Sequence, residues 1–158
     1  MIVNRQRRIA VAVRPLSDFL VRAERELGFP ENGVTVLLIG DSAMAQLNRR
    51  FRGKRGPTDV LSFPARAVRA PRSLPRQIDA RSRVRTRTGD LAYVGDIAIS
   101  PQTARRNARR YSRSLPEELR ILVLHGLIHL AGFDHETDEG QMERIEQRLR
   151  RRLGLKPS

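Results

Sequence analysis

Three histidines, His125, His129 and His135, are the only ones in this chain of 158 residues, and they fall within eleven positions. Their spacing is H-x3-H-x5-H. Residues four apart on an α-helix share a face, about one turn apart, so His125 and His129 can point at a common spot. Gly132 suits the left-handed turn that ends a helix, and a reversal there lets His135 complete a three-nitrogen face. Neutral imidazole is a good zinc ligand, and three protein ligands leave a fourth position for water or substrate. A lone histidine is usually satisfied by core hydrogen bonds; three at ligand spacing point to a metal instead. A closed structural site wants a fourth ligand. The chain has no cysteine, and the nearest spare donor is Asp134, beside His135, which reads as a partner of a ligand rather than as the general base, a role left unassigned. The spacing therefore predicts an open, catalytic centre.

The same spacing occurs in H-E-x-x-H-x-x-G-x-x-H metalloproteases, with one departure. Gly126 stands where their general-base glutamate stands. Glycine cannot take a proton, so the metal cage is kept without the peptidase base, and peptide hydrolysis is disfavoured.

The elements that must position these residues follow from pattern. Ser114-Leu115-Pro116-Glu117 reads as a capping box opening the histidine helix. Leu119, Ile121, Leu122, Val123, Leu124, Leu127, Ile128 and Leu130 surround that helix on nearly every side, which predicts burial at the protein's centre, imidazoles included. Upstream, alternation at Ile9, Val11 and Val13 predicts a strand, Pro15 opens a helix to about Leu27, and 34–39 reads as a central strand. Asp41 is placed as the cap of a helix running to about Phe51. A basic, glycine-rich loop over 52–59 leads into a short strand at 60–63; such a loop can approach phosphate, although a solvated turn is its default reading. Residues 91–99 read as another strand, and Ser100-Pro101 opens a helix carrying Arg105, Arg106, Arg109 and Arg110. A last helix, capped by Asp138, turns Met142, Ile145, Leu149 and Leu153 inward and leaves Arg148, Arg150, Arg151 and Arg152 outside. Met142 reads as core filler. Residues 65–88 hold eight arginines and one acid with little periodicity, an insertion that is either a solvated loop or a basic arm for RNA.

Composition narrows the function. Thirty-one basic residues against 17 acidic ones leave a formal charge of +14, a field that attracts polyanions, nucleic acid foremost. All but two of the basic residues are arginine; that bias explains the choice of arginine over lysine, not the excess of charge. The absence of cysteine fits a reducing compartment. No secretion signal and no apolar run of membrane-spanning length is present, so the expectation is a single-domain protein of the cytoplasm that does not engage a membrane.

Three stretches give the chain a family resemblance. They are Leu47-Asn48-Arg49-Arg50-Phe51-Arg52-Gly53-Lys54 running into Pro57-Thr58-Asp59-Val60-Leu61-Ser62-Phe63-Pro64, then Gly95-Asp96-Ile97-Ala98-Ile99-Ser100, then 125–135 with all three histidines. In order and spacing these resemble the YbeY family of metal-dependent endoribonucleases, the ribosomal-RNA maturation factors. The resemblance implies an α+β fold: a small mixed sheet with packed helices and a central buried metal-binding helix, in metzincin-like topology. It implies one Zn2+ held by His125, His129 and His135, and maps the family's functional arginine onto Arg52, so that Arg52 and His125 are the catalytic candidates. It implies cleavage of single-stranded RNA in ribosomal RNA processing, notably at the 3′ end of the small-subunit RNA, and in ribosome quality control. The implied partners are ribosomal RNA and the ribosome or small-subunit assembly proteins, engaged by a monomer. Two features depart from the family pattern: Arg55-Gly56 replaces the acid that often follows the loop lysine, and the arginine-rich insertion is long. A non-catalytic RNA-binding assembly factor with a structural zinc is the alternative from another class, and a metalloprotease the remote one.

Overall fold

A computed structural model describes residues 1–65, 93–133 and 140–156. The arginine-rich insertion from residue 66 onward, Asp134, His135 and the cap expected at Asp138 lie outside the described residues. The fold is α+β, as the resemblance implies. Four short strands, β1 (Ile2–Asn4), β2 (Val34–Leu38), β3 (Val60–Pro64) and β4 (Gly95–Ile99), form one mixed sheet in the order β1-β2-β4-β3. β1, β2 and β4 run parallel, and β3 closes one edge antiparallel to β4, with Val60 opposite Ile99 and Ser62 opposite Ile97. Five helices accompany it: α1 (Val13–Glu26), α2 (Asp41–Arg52), α3 (Pro101–Arg110), α4 (Leu115–Leu130) and α5 (Gln141–Arg152).

Period-two alternation in the strands divides the helices between the sheet's faces. Val34, Val36 and Leu38 of β2 and Ile97 and Ile99 of β4 join the main core with α1, α4 and α5. Leu61 and Ala98 point the other way and meet Met44 of α2, with Leu37, Leu47 and Phe63 around them. Helix α4 sits in the middle of the larger layer, against α1, α3, α5, β3 and β4. Its apolar girdle requires that position, because no single neighbour could cover it.

The caps at Ser100 and Ser114 form as their sequence predicts, accepting from the backbone N–H of Thr103 at 3.2 Å and of Glu117 at 3.3 Å. Two local expectations are corrected. Residues Ile9 to Val13 are not a strand. The side-chain amide of Gln6 donates to the Ile9 carbonyl and accepts from its N–H, both at 2.9 Å, and so takes the place of a neighbouring strand. Ile9 is still buried, and α1 begins at Val13 rather than Pro15. Asp41 lies inside the first turn of α2, whose cap is Gly40. Its carboxylate instead accepts from Ser100 Oγ at 2.5 Å, Thr103 Oγ1 at 2.9 Å and Arg106 at 2.8 Å, tying α2 to α3.

Candidate active site

Between Ile121 and Leu130, every residue is buried except His125 and His129. The sequence expectation of a central helix is met, but the imidazoles themselves are not sealed inside. The side chain of His125 is 25% exposed, and both rings open onto a groove of about 720 Å³. Their Nε2 atoms are 3.2 Å apart and the ring planes cross at 80°. Two nitrogens bound to one tetrahedral zinc, each about 2.0–2.1 Å from it, would stand about 3.3 Å apart. The two nitrogens therefore sit at the separation a shared ion requires. The donor set, neutral imidazole nitrogen, is also right for zinc.

Behind His125 stands a residue that sequence reading missed. Glu146 of α5 places Oε2 3.1 Å from His125 Nδ1, and Arg150 donates to its other oxygen, Oε1, from Nε at 3.0 Å and Nη2 at 2.5 Å. Burial pushes the Glu146 carboxyl up, but the hydrogen bond from His125 and the charge of Arg150 outweigh it and hold the pKa below the usual carboxylate value. Arg150, placed outside with its arginine neighbours on sequence grounds, is 5% exposed. Pairing is the reason, since a buried guanidinium is tolerated only beside a carboxylate. A signal existed: Glu146 falls in the inward stripe of α5, four residues after Met142 and three before Leu149, with Arg150 one turn further on.

The facing wall comes from α2 and β3. Arg52 is the last residue of α2 and lines the same groove as His125 and His129. Gly53, at φ 66°, ends the helix in the left-handed conformation and turns the chain away. Beyond it, Asn48 Nδ2 donates to the Gly56 carbonyl at 2.9 Å, and Asp59 accepts from the Val60 N–H and from Asn107, each at 2.9 Å. These bonds hold the basic loop at its middle and at its C-terminal end. Phe51, 56% exposed, leans edge-on against Phe63 of β3 with ring centroids 5.0 Å apart.

Gly126 has a physical reason to be glycine. A Cβ there would lie 2.8 Å from Ile97 Cγ2 and 2.9 Å from Ile97 Cδ1. Helix α4 rests against β4 at this point, so the position that carries a protease's base points into the sheet's packing. Ser62 Oγ also donates to the Gly126 carbonyl at 3.2 Å, fastening β3 to the helix.

Thus His125, His129 and Arg52 share one groove, while His135 and Asp134 lie outside the described residues. Among the described residues, no three histidine, cysteine or acidic side chains cluster as a complete metal site, and no helix is long and apolar enough to cross a membrane.

A mixed sheet over a central helix that turns two convergent imidazoles onto an open groove defines an α+β protein with a histidine-bearing central helix. Comparison with known proteins narrows the class. Residues 2–154 match the family model described as endoribonuclease YbeY. The endoribonuclease YbeY of Koribacter versatilis (strain Ellin345) is 41% identical over 158 residues, covering 100% of this chain and 88% of that protein. That of Jannaschia sp. (strain CCS1) is 39% identical over 126 residues, 77% of this chain and 72% of the relative. Among solved structures, the solution structure of TM1509 from Thermotoga maritima superposes with a TM-score of 0.58 at 26% identity, over 97% of this chain and 89% of that one. The chain belongs to the YbeY endoribonuclease family.

Proposed function

We propose that this protein is a zinc-dependent endoribonuclease that cuts single-stranded RNA during ribosomal RNA processing, at the 3′ end of the small-subunit RNA and in ribosome quality control. It works as a monomer in the cytoplasm, alongside the ribosome or small-subunit assembly proteins. His125, His129 and His135 hold the ion. The observation that carries this reading is the 3.2 Å approach of two Nε2 atoms on a groove whose other wall ends in Arg52. That distance also suits a hydrogen bond between the rings, and family membership favours a common ion.

A divalent ion in this position supplies Lewis acidity at a phosphodiester. The chain's own residues do the rest. Arg52 offers a planar fork of donors to the phosphate and opposes the charge that builds up as the bond breaks. The charge of +14 draws the polyanion in, so affinity should fall as salt rises. The exposed ring of Phe51 gives an unstacked base a surface, which a duplex cannot use. A peptidase reading lacks its base at Gly126, and the packing of Ile97 leaves no room for one.

The test pairs metal content with cleavage of an unstructured RNA, in nuclease-free preparations of the wild type and of His125→Ala. The expected outcome is zinc and cleavage in the wild type and neither in the variant, with melting temperatures within a few degrees. A wild type that binds zinc and RNA without cutting would instead mark a non-catalytic assembly factor.

A further inference from the structure

We propose that Glu146, anchored by Arg150, is a positioning residue that locks His125 into the Nδ1–H tautomer and so turns its Nε2 lone pair onto the groove. The proposal rests on the reading of His125 as a metal ligand.

The argument is one of donor and acceptor polarity. A guanidinium only donates, and an ionised carboxylate only accepts. Arg150 spends two donors on Oε1, at 3.0 and 2.5 Å, which fixes the carboxylate's orientation and leaves Oε2 facing His125 Nδ1 at 3.1 Å. Nδ1 must then carry the proton, and Nε2 is left as the acceptor. Glu146 and Arg150 are 8% and 5% exposed, so bulk water has little access to replace either partner. The pair stands on α5 and the histidines on α4. Packing of one helix against the other therefore sets which ring nitrogen of His125 faces the groove without a proton. A histidine whose remote nitrogen is held in this way is a better oriented and more basic ligand.

The near-isosteric change Glu146→Gln separates positioning from packing. Arg150 still demands an acceptor, so the amide oxygen must turn toward it. The amide NH2 then faces His125 Nδ1 and forces that nitrogen to accept. The ring proton moves to Nε2 and points at the ion's place. A residue that only filled space would tolerate glutamine. Adding Arg150→Gln should undo the effect, because the shorter side chain can accept from the amide introduced at position 146 and let its oxygen swing back to His125.

Long-range 1H–15N spectra of the metal-free full chain read the His125 tautomer directly, and competition with a chromophoric chelator gives zinc affinity. Expected are Nδ1–H in the wild type, Nε2–H in Glu146→Gln with zinc binding weakened about 10–100-fold at an unchanged fold, and recovery of most of that loss in the double variant. A wild-type His125 protonated at Nε2 would overturn the proposal whatever the variants do. So would a folded Glu146→Gln that keeps wild-type zinc affinity, or a double variant that stays as weak as the single. A wild type that shows the Nδ1–H tautomer but takes up no zinc would leave the positioning role standing and sink the metal reading instead.

Discussion

On one wall of the groove, His125 and His129 project from a helix whose neighbouring residues are all buried, and His125 is held from behind by a buried carboxylate. On the other wall, Arg52 is exposed at the end of α2, followed by Gly53 and Gly56, around which a Cβ would meet nothing within 4 Å. The contrast follows what the proposed function asks of each wall. Ligands to an ion tolerate little error in position, so their orientation is built into the core. A side chain that answers a flexible, charged polymer gains from reach and from low packing density, at the cost of precise placement.

The largest effect expected beyond loss of the proposed metal ligands is on the loose wall. Replacing Arg52 by alanine should lower cleavage of an unstructured RNA about 100- to 1,000-fold, the usual effect of removing one donor to a developing anion. Zinc content and melting temperature should not move, because Arg52 is exposed and outside the core. Arg52→Lys keeps the charge without the planar fork and should fall between the two. Cleavage within about threefold of the wild type in Arg52→Ala, far short of the usual loss, would remove this wall from the chemistry and leave only the histidine side functional.

On the rigid wall, the close approach of α4 to the sheet can be probed through stability. Alanine favours a helix over glycine by about 1 kcal/mol, but a Cβ at Gly126 collides with two side-chain atoms of Ile97 and crowds a third. Overpacking of this kind costs about 1–3 kcal/mol. Gly126→Ala should therefore lower the melting temperature by a few degrees. In an Ile97→Ala background, where the obstructing atoms are gone, the same change should raise it. A Gly126→Ala substitution that stabilises the otherwise wild-type chain would show that the helix does not press on the sheet here.

What could be read from sequence divides along similar lines. The i,i+4 pairing of His125 and His129, the caps at Ser100 and Ser114 and the burial of α4 are local properties, fixed by helical periodicity, and the structure has them all. The missing glutamate at Gly126 was visible too, but its cause, Ile97 on a strand far earlier in the chain, was not. The contact of Glu146 with His125 crosses from one helix to another, and no single periodic pattern announces it; a charged residue in an apolar stripe was the one trace. The alternation from Ile9 to Val13 failed as a strand because the Gln6 side chain competed with sheet pairing, an event that hydrophobic patterning does not register. Arg52 came into view through family resemblance, since nothing in its own neighbourhood distinguishes it from Arg49 or Arg50.

The smallest effect concerns how the looser wall is hung. Asp41 begins α2 and joins it to α3 through Ser100, Thr103 and Arg106. Burial pushes its carboxyl up, but the bonds from Arg106 and the two hydroxyls prevail, and its pKa lies below the ordinary value of 3.8. A depressed folded pKa means that the unfolded chain takes up the proton first as the pH falls. The stabilisation is thus complete well above pH 3.8 and disappears as the pH drops through the folded value. Arg106 is largely exposed and its pair is screened by solvent, so the bonds to Asp41 together should be worth only about 1–2 kcal/mol. Asp41→Asn should accordingly melt a few degrees below the wild type at neutral pH and converge with it in strong acid. Because the carboxylate holds α2 rather than α4, amide exchange should quicken in 41–52 and stay unchanged around His125. Equal acceleration in both helices would mean that the two walls share one cooperative unit, and that the rigid side is no more independent than the loose one.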